Sequence, residues 1–239
     1  MFLMTYAMQI LMVYVLAAVI PALVLLVYVY KQDKVEKEPI GLIGNLVLQG
    51  VFAALASIVL ELIGEAVLPN VIREDNPMYV VVLAFLVVAL VEEGTKFFFL
   101  RRRTWRDPNF NYRFDGIVYA VSVSLGFAAF ENIEYVFRYG LMVAPTRALL
   151  SIPGHMGFAV FMGYFYGRAK LYDDIGDRRK AVLFQVLAVI SAVFLHGFYD
   201  SCAMKGTAMS TVLFVVFVVA MYLIVFHMVR HESVTDEPV

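Results

Sequence analysis

The sequence predicts an all-α polytopic membrane protein of about seven transmembrane helices, with its N-terminus outside and its C-terminus inside. Three observations predict it. Of the 239 residues, 62% are hydrophobic and only 16% charged, with a mean hydropathy of +0.80, well away from soluble domains, in which about a quarter of residues are charged. The chain also divides into a series of apolar runs, each near the roughly 20 residues that a bilayer core demands at about 1.5 Å per residue. Finally, fourteen of the 19 Lys and Arg residues fall in alternate connections, four in the others and one inside a run. That asymmetry orients the chain by the positive-inside rule.

The runs lie at 2–30, 41–68, 78–100, 116–137, 145–167, 181–203 and 207–229. The first lacks the basic n-region of a secretory signal, because Lys31, Lys34 and Lys37 follow it rather than precede it, so it is expected to be retained as a span. The connections are too short to hold a soluble domain. One membrane-embedded unit over 1–230 and a short cytoplasmic tail over 231–239 are therefore expected. A net charge of −1, with basic residues that topology already explains, gives no reason to expect a nucleic-acid partner; the expected surroundings are the lipid bilayer. The single cysteine, Cys202, cannot form an internal disulfide.

Charged side chains inside a bilayer cost about 2.5–3.5 kcal/mol each on insertion scales, so those in the runs need a reason. The third run carries "EEGTK". Glu92 and Lys96 are spaced i,i+4, and Glu93 and Lys96 i,i+3, so one ammonium reaches either carboxylate. One lysine neutralises only one glutamate, and the surplus carboxylate favours a functional site over a purely structural ion pair. The fourth run has "FAAFENIEY", where Glu131 sits deep and Glu134 lies near the outer end, four residues before Arg138. The latter two are expected to pair at the interface. In the fifth, Pro153 and Gly154 precede His155; the proline is expected to break a backbone hydrogen bond and turn His155 toward a polar interior. Gly163 and Gly167 there allow a close helix approach. In the sixth, His196 and Asp200 share a face one turn apart. The second run carries Glu61 and Glu65 near its outer end, where hydration makes them cheap.

Depth is less simple. Counted from the cytoplasmic ends, Glu131, His196 and Asp200 fall past the midplane toward the outside, whereas Glu92 falls nearer the inside, a gap of about two turns.

Carboxylates, a lysine and two histidines from four spans suit a general base, a water and donors for a developing oxyanion. Hydrolysis is the natural proposal. Familiar hydrolytic patterns fit poorly: HExxH is absent, "SVSLG" has Ser122 where a nucleophile elbow needs glycine and leaves Ser124 without its turn, and the second aspartate for a dyad with Asp200 would be Asp177, in a charged loop.

The order Glu-Glu-x2-Lys, Phe-x3-Glu-Asn, "PGHMG" and His-x3-Asp, spread over residues 92 to 200 on separate spans, resembles the PrsW family of bacterial membrane proteases. That family sits within the wider CAAX-protease and bacteriocin-processing group. The wider group typically carries Glu-Glu-x3-Arg and Phe-x3-His, whereas here Lys96 comes one residue earlier and Glu131 replaces the histidine. The resemblance implies a multi-pass protein of the bacterial cytoplasmic membrane that performs site-1 cleavage of a membrane-anchored anti-sigma factor in a stress response. On that footing Glu92 is the expected general base, Glu131 and His155 position the water or a metal, Glu93 and Lys96 tune Glu92, and His196, oriented by Asp200, stabilises the oxyanion. Zinc is left open: Glu131, His155 and His196 form an acceptable three-ligand set, while metal-independent chemistry is slightly favoured. The rival readings are a proton- or ion-coupled transporter using the buried Glu, Lys and His residues, a haem carrier ligated by His155 and His196, and a non-catalytic scaffold.

Overall fold

A computed structural model describes residues 2–239, with side chains from Met8 onward. The described residues are helical nearly throughout, and they contain no β-strand beyond one isolated bridge between Tyr112 and Pro238. The helices are α1 (Phe2–Gln32), α2 (Ile40–Val71), α3 (Tyr79–Val82), α4 (Leu90–Thr104), α5 (Asp115–Tyr139), α6 (Ala144–Leu149), α7 (Ser151–Asp174), α8 (Arg178–Lys205) and α9 (Ala208–Val234). Six helical stretches are long and apolar enough to cross a membrane: α1, α2, α5, the stretch Leu141–Asp174, α8 and α9. The third predicted run falls on a seventh stretch, α3 and α4 joined by a π-helical segment, Leu83–Ala89. It runs to Thr104 rather than to 100.

α5 is the centre of the bundle. Of its apolar window 78% is buried, against 11% for α1 and 22% for α9. The outward residues of α1, α8 and α9, among them Val24, Phe194 and Leu223, are exposed and apolar, as a lipid-facing surface requires. Two backbone crossings hold α5 in place. A Cβ added at Gly126 would lie 2.2 Å from the Val47 carbonyl oxygen of α2, and one at Gly163 would lie 2.5 Å from the Gly116 oxygen. Only a residue without a side chain permits either approach, and in lipid such close backbone packing is a main source of helix association. Gly163→Val is accordingly expected to lower the thermal midpoint, with overpacking costing about 1–3 kcal/mol. Gly44→Ala, whose Cβ would meet nothing within 4 Å, should leave it within about 1 kcal/mol.

The basic connections gather at one end. Asn111 Nδ2 donates to Glu36 (3.0 Å), and Arg113 Nη2 donates to the Thr235 carbonyl (3.0 Å). Arg168 pairs with Glu232 at 3.3 Å. These contacts join the segments near 36, 111–113, 168 and 232–235, as alternate loops on one side of a membrane should be joined. Beyond α9 the chain docks on this end, with the Arg113 amide donating to the Glu237 carbonyl and the Val239 amide to that of Asn111.

Pro153 corrects an expectation. The fifth run is not one helix broken by proline but a short α6 followed by α7, and Pro153 is the third residue of α7. Amides of the first turn have no intrahelical partner, so the ring removes no hydrogen bond there. What the proline does is start a helix just before His155.

Candidate functional site

Four helices bring the charged residues to one place. On α4, Lys96 Nζ donates to Glu92 Oε2 (2.9 Å) and to Glu93 Oε1 (2.8 Å). The same ammonium lies 3.2 Å from His155 Nδ1 on α7 and 3.9 Å from the centroid of the Phe127 ring. On α8, His196 Nδ1 meets Glu93 Oε1 at 2.9 Å, and its Nε2 meets Asp200 Oδ2 at 3.2 Å. On α5, Glu131 Oε2 is 3.0 Å from His155 Nε2. All seven residues singled out in the sequence therefore belong to one connected network.

The contacts bridge the counted depth gap, and the length of α4 accounts for part of it. α4 extends four residues past the predicted end, which moves Glu92 about one turn outward from the basic end. The π-helical segment lies on the other side of Glu92, so it leaves that count unchanged and acts only on the residues before it. That segment also seats α8: a Cβ on Gly197 would fall 2.5 Å from the Phe85 ring, so the glycine beside His196 lets the π turn come close. Phe158 stacks on the His196 imidazole at 4.7 Å and 19°, fixing its plane.

The hydrogen bonds define proton positions. His155 Nδ1 faces an ammonium, which can only donate, so this nitrogen accepts and Nε2–H donates to Glu131. His196 has a carboxylate oxygen at each nitrogen, an arrangement that suits an imidazolium with both N–H groups donating. Arg147 is the residue sequence reasoning missed. Its Nη2 donates to Glu131 (2.7 Å) and its Nε to Asn132 Oδ1 (2.8 Å), while Asn132 Nδ2 donates to the Ala18 carbonyl (2.8 Å). In the sequence it is only one more arginine near an outer loop. With Arg147, Lys96 and His196 positive, one of the four carboxylates Glu92, Glu93, Glu131 and Asp200 is left without a matching charge.

Glu92 is the best placed to be that group. It is 5% exposed and lines a cavity of about 650 Å³, whereas Glu93 is 0% exposed and does not reach the cavity. Glu61, Glu131, His155, His196 and Asp200 also line this space. Arg138, Tyr139, Met204 and Thr211 lie on its wall too, near the turns opposite the basic loops, so the cavity extends to the far end from them. Glu134 and Arg138 do not form the expected pair among the described residues; both line the cavity.

Two other expectations resolve plainly. Ser124 Oγ donates to the His155 carbonyl (3.0 Å), so it supports α7. Asp177 caps α8 by accepting from the Lys180 amide, far in role from Asp200. Both nitrogens of His155 and of His196 bond to side chains of the network.

The donor types would suit zinc. Glu92, Glu93, His155 and His196 offer ligand atoms within 4.8 Å of one another, a set of carboxylates and imidazoles that zinc accepts. Glu131 is outside that group and lies behind His155, held by Arg147. However, Lys96 already bonds three of the four donors. An ammonium at that position repels a divalent ion, so the residues as arranged do not fit a resident metal.

Comparison with known proteins finds membrane proteases, in a family whose description names a metal that the arrangement around Lys96 does not accommodate. The model of a family described as "PrsW family intramembrane metalloprotease" matches residues 38–227. "Protease PrsW" of Oceanobacillus iheyensis is 32% identical over 217 residues, covering 91% of this chain and 94% of the relative. The protein of that name from Clostridioides difficile is 31% identical over 215 residues, covering 87% and 86%, and that from Bacillus subtilis 32% over 184 residues, covering 77% and 79%. No solved structure matches the chain.

Proposed function

The chain belongs to the PrsW family of intramembrane proteases, and from that premise we propose that it cleaves a membrane-anchored protein on the extracytoplasmic side with Glu92 as general base. The transporter reading falls with the family assignment. The observation that carries the proposal is Glu92 itself: a carboxylate held by Lys96 on one oxygen while its side chain lines a cavity that extends to the end opposite the basic loops.

The reaction needs only groups of this chain and a water. Glu92 takes a proton from the water, whose oxygen attacks the scissile carbonyl carbon. Charge then develops on the carbonyl oxygen, where the His196 cation stabilises it, with Asp200 yielding the Nε2–H to the substrate. Protonated Glu92 gives its proton to the amide nitrogen, the C–N bond breaks, and an acid and an amine leave. Lys96 and Glu93 hold Glu92 and His196 in register, and His155, fixed by Glu131, lines the path of the water. Residues 1–230 act as the catalytic unit, and the substrate is an anti-sigma factor of the bacterial cytoplasmic membrane.

Co-expression of single-span anti-sigma factors with this chain tests the reading. A shortened extracytoplasmic fragment is expected only when the chain is present; a panel left intact would refute it. Because Lys96 fills the cation position, cleavage by purified protein is expected to persist in 1,10-phenanthroline. A stoichiometric zinc whose removal stops cleavage and whose return restores it would show that Lys96 gives way to metal.

A further inference from the structure

A second buried cluster lies at the opposite end of the bundle, among the basic loops. Asp33 follows α1, Glu38 precedes α2 and Asp115 opens α5; they are 2%, 3% and 1% exposed. Each offers a carboxylate oxygen, and the three lie within 4.8 Å of one another. None pairs with a Lys, Arg or His nitrogen among the described residues. The nearby Lys37 ammonium is turned to backbone instead, donating to the carbonyls of Tyr30 and Asp33.

The cluster is also incompletely bonded. Asp115 Oδ2 accepts from the amides of Asn111 (3.0 Å) and Tyr112 (2.7 Å), which fixes that carboxylate. By contrast, Asp33 Oδ2 and Glu38 Oε2 are buried with no hydrogen-bond partner. Buried carboxylate oxygens left bare are costly and call for a counter-charge. Spacings under 4.8 Å are what oxygens about 2.3–2.6 Å from one hard cation would show.

We propose that Asp33, Glu38 and Asp115 bind one hard divalent cation, Mg²⁺ or Ca²⁺, that ties the α1–α2 turn to the start of α5. The donors are all carboxylate, which favours these ions over zinc. The ion would also brace the tail, because Asp236 accepts from the Phe114 amide (2.9 Å) next to Asp115. The site is separate from the protease cluster and does not depend on its chemistry.

The test uses full-length protein in detergent, stripped with EDTA and titrated with MgCl₂ or CaCl₂ at constant ionic strength. Thermal unfolding and calorimetry are read. One ion per chain is expected, with a saturable rise in the midpoint of about 5–10 °C at a hundredfold excess over Kd. The rise should vanish in Asp33→Asn and Glu38→Gln and persist in Glu92→Gln. Wild type without a saturable response to either cation overturns the proposal. So does a response lost in Glu92→Gln but kept in Glu38→Gln, which would place the ion at the protease cluster. A wild type that gains stability as the pH falls but ignores both cations would show that protons fill the site, and would overturn it too. Should both amides fail to fold, Glu38→Asp replaces them: a weakened affinity supports the site, and an unchanged one refutes it.

Discussion

Glu92→Gln is expected to reduce substrate cleavage by at least about a hundredfold while the protein remains folded. A positioned general base contributes about 10²–10⁴-fold, and no other carboxylate combines cavity exposure with a hold on Lys96. Glutamine keeps the length of the side chain and an oxygen to accept from Lys96, whose second partner, Glu93, is untouched. The thermal midpoint should therefore move little. Glu93→Gln behaves differently, because Glu93 Oε1 accepts from both Lys96 and His196, so its loss disturbs the position of two groups and lowers stability as well as rate. Fragment yield on a gel and unfolding in detergent, measured side by side, separate the two cases. Glu92→Gln cleaving at the wild-type rate would move the base elsewhere, with Glu131 next in line.

Much of the site is legible in the sequence, for a physical reason. A charge in a lipid-facing segment has so few structural excuses that each one points to an interior, and the helical spacings of Glu92, Glu93 and Lys96, and of His196 and Asp200, already place partners on one face. What the sequence could not carry was relative depth. That depended on α4 running on to Thr104, through arginines that read as the start of a loop. Arg147 escaped notice because its role arises from a contact with Glu131 sixteen residues away across a turn. Pro153 reads as a break within one run because nothing in the apolar composition of 145–152 marks the boundary between α6 and α7. The acidic cluster at Asp33, Glu38 and Asp115 was invisible for the same reason, since its members look like ordinary loop and helix-start residues until the fold buries them.

Lys96→Met should be the most damaging change to stability. The ammonium is almost wholly buried and stands between Glu92 and Glu93. Removing one member of a buried ion pair typically costs about 3–5 kcal/mol, because the remaining charge is left desolvated, and this lysine serves two carboxylates. Against a total stability of about 5–15 kcal/mol, the variant is expected to accumulate poorly and to unfold at a much lower temperature. The cause can be isolated by removing the stranded charge as well: Glu93→Gln combined with Lys96→Met should be more stable than Lys96→Met alone, which is the sign of direct coupling. Lys96→Arg should not rescue the wild type, because Phe127 already lies 3.9 Å from the ammonium and the larger guanidinium would overpack the site. A Lys96→Met protein as stable as wild type, with no benefit from the second change, would mean that something other than this ammonium neutralises the two glutamates, and the case for metal-independent chemistry would fall with it.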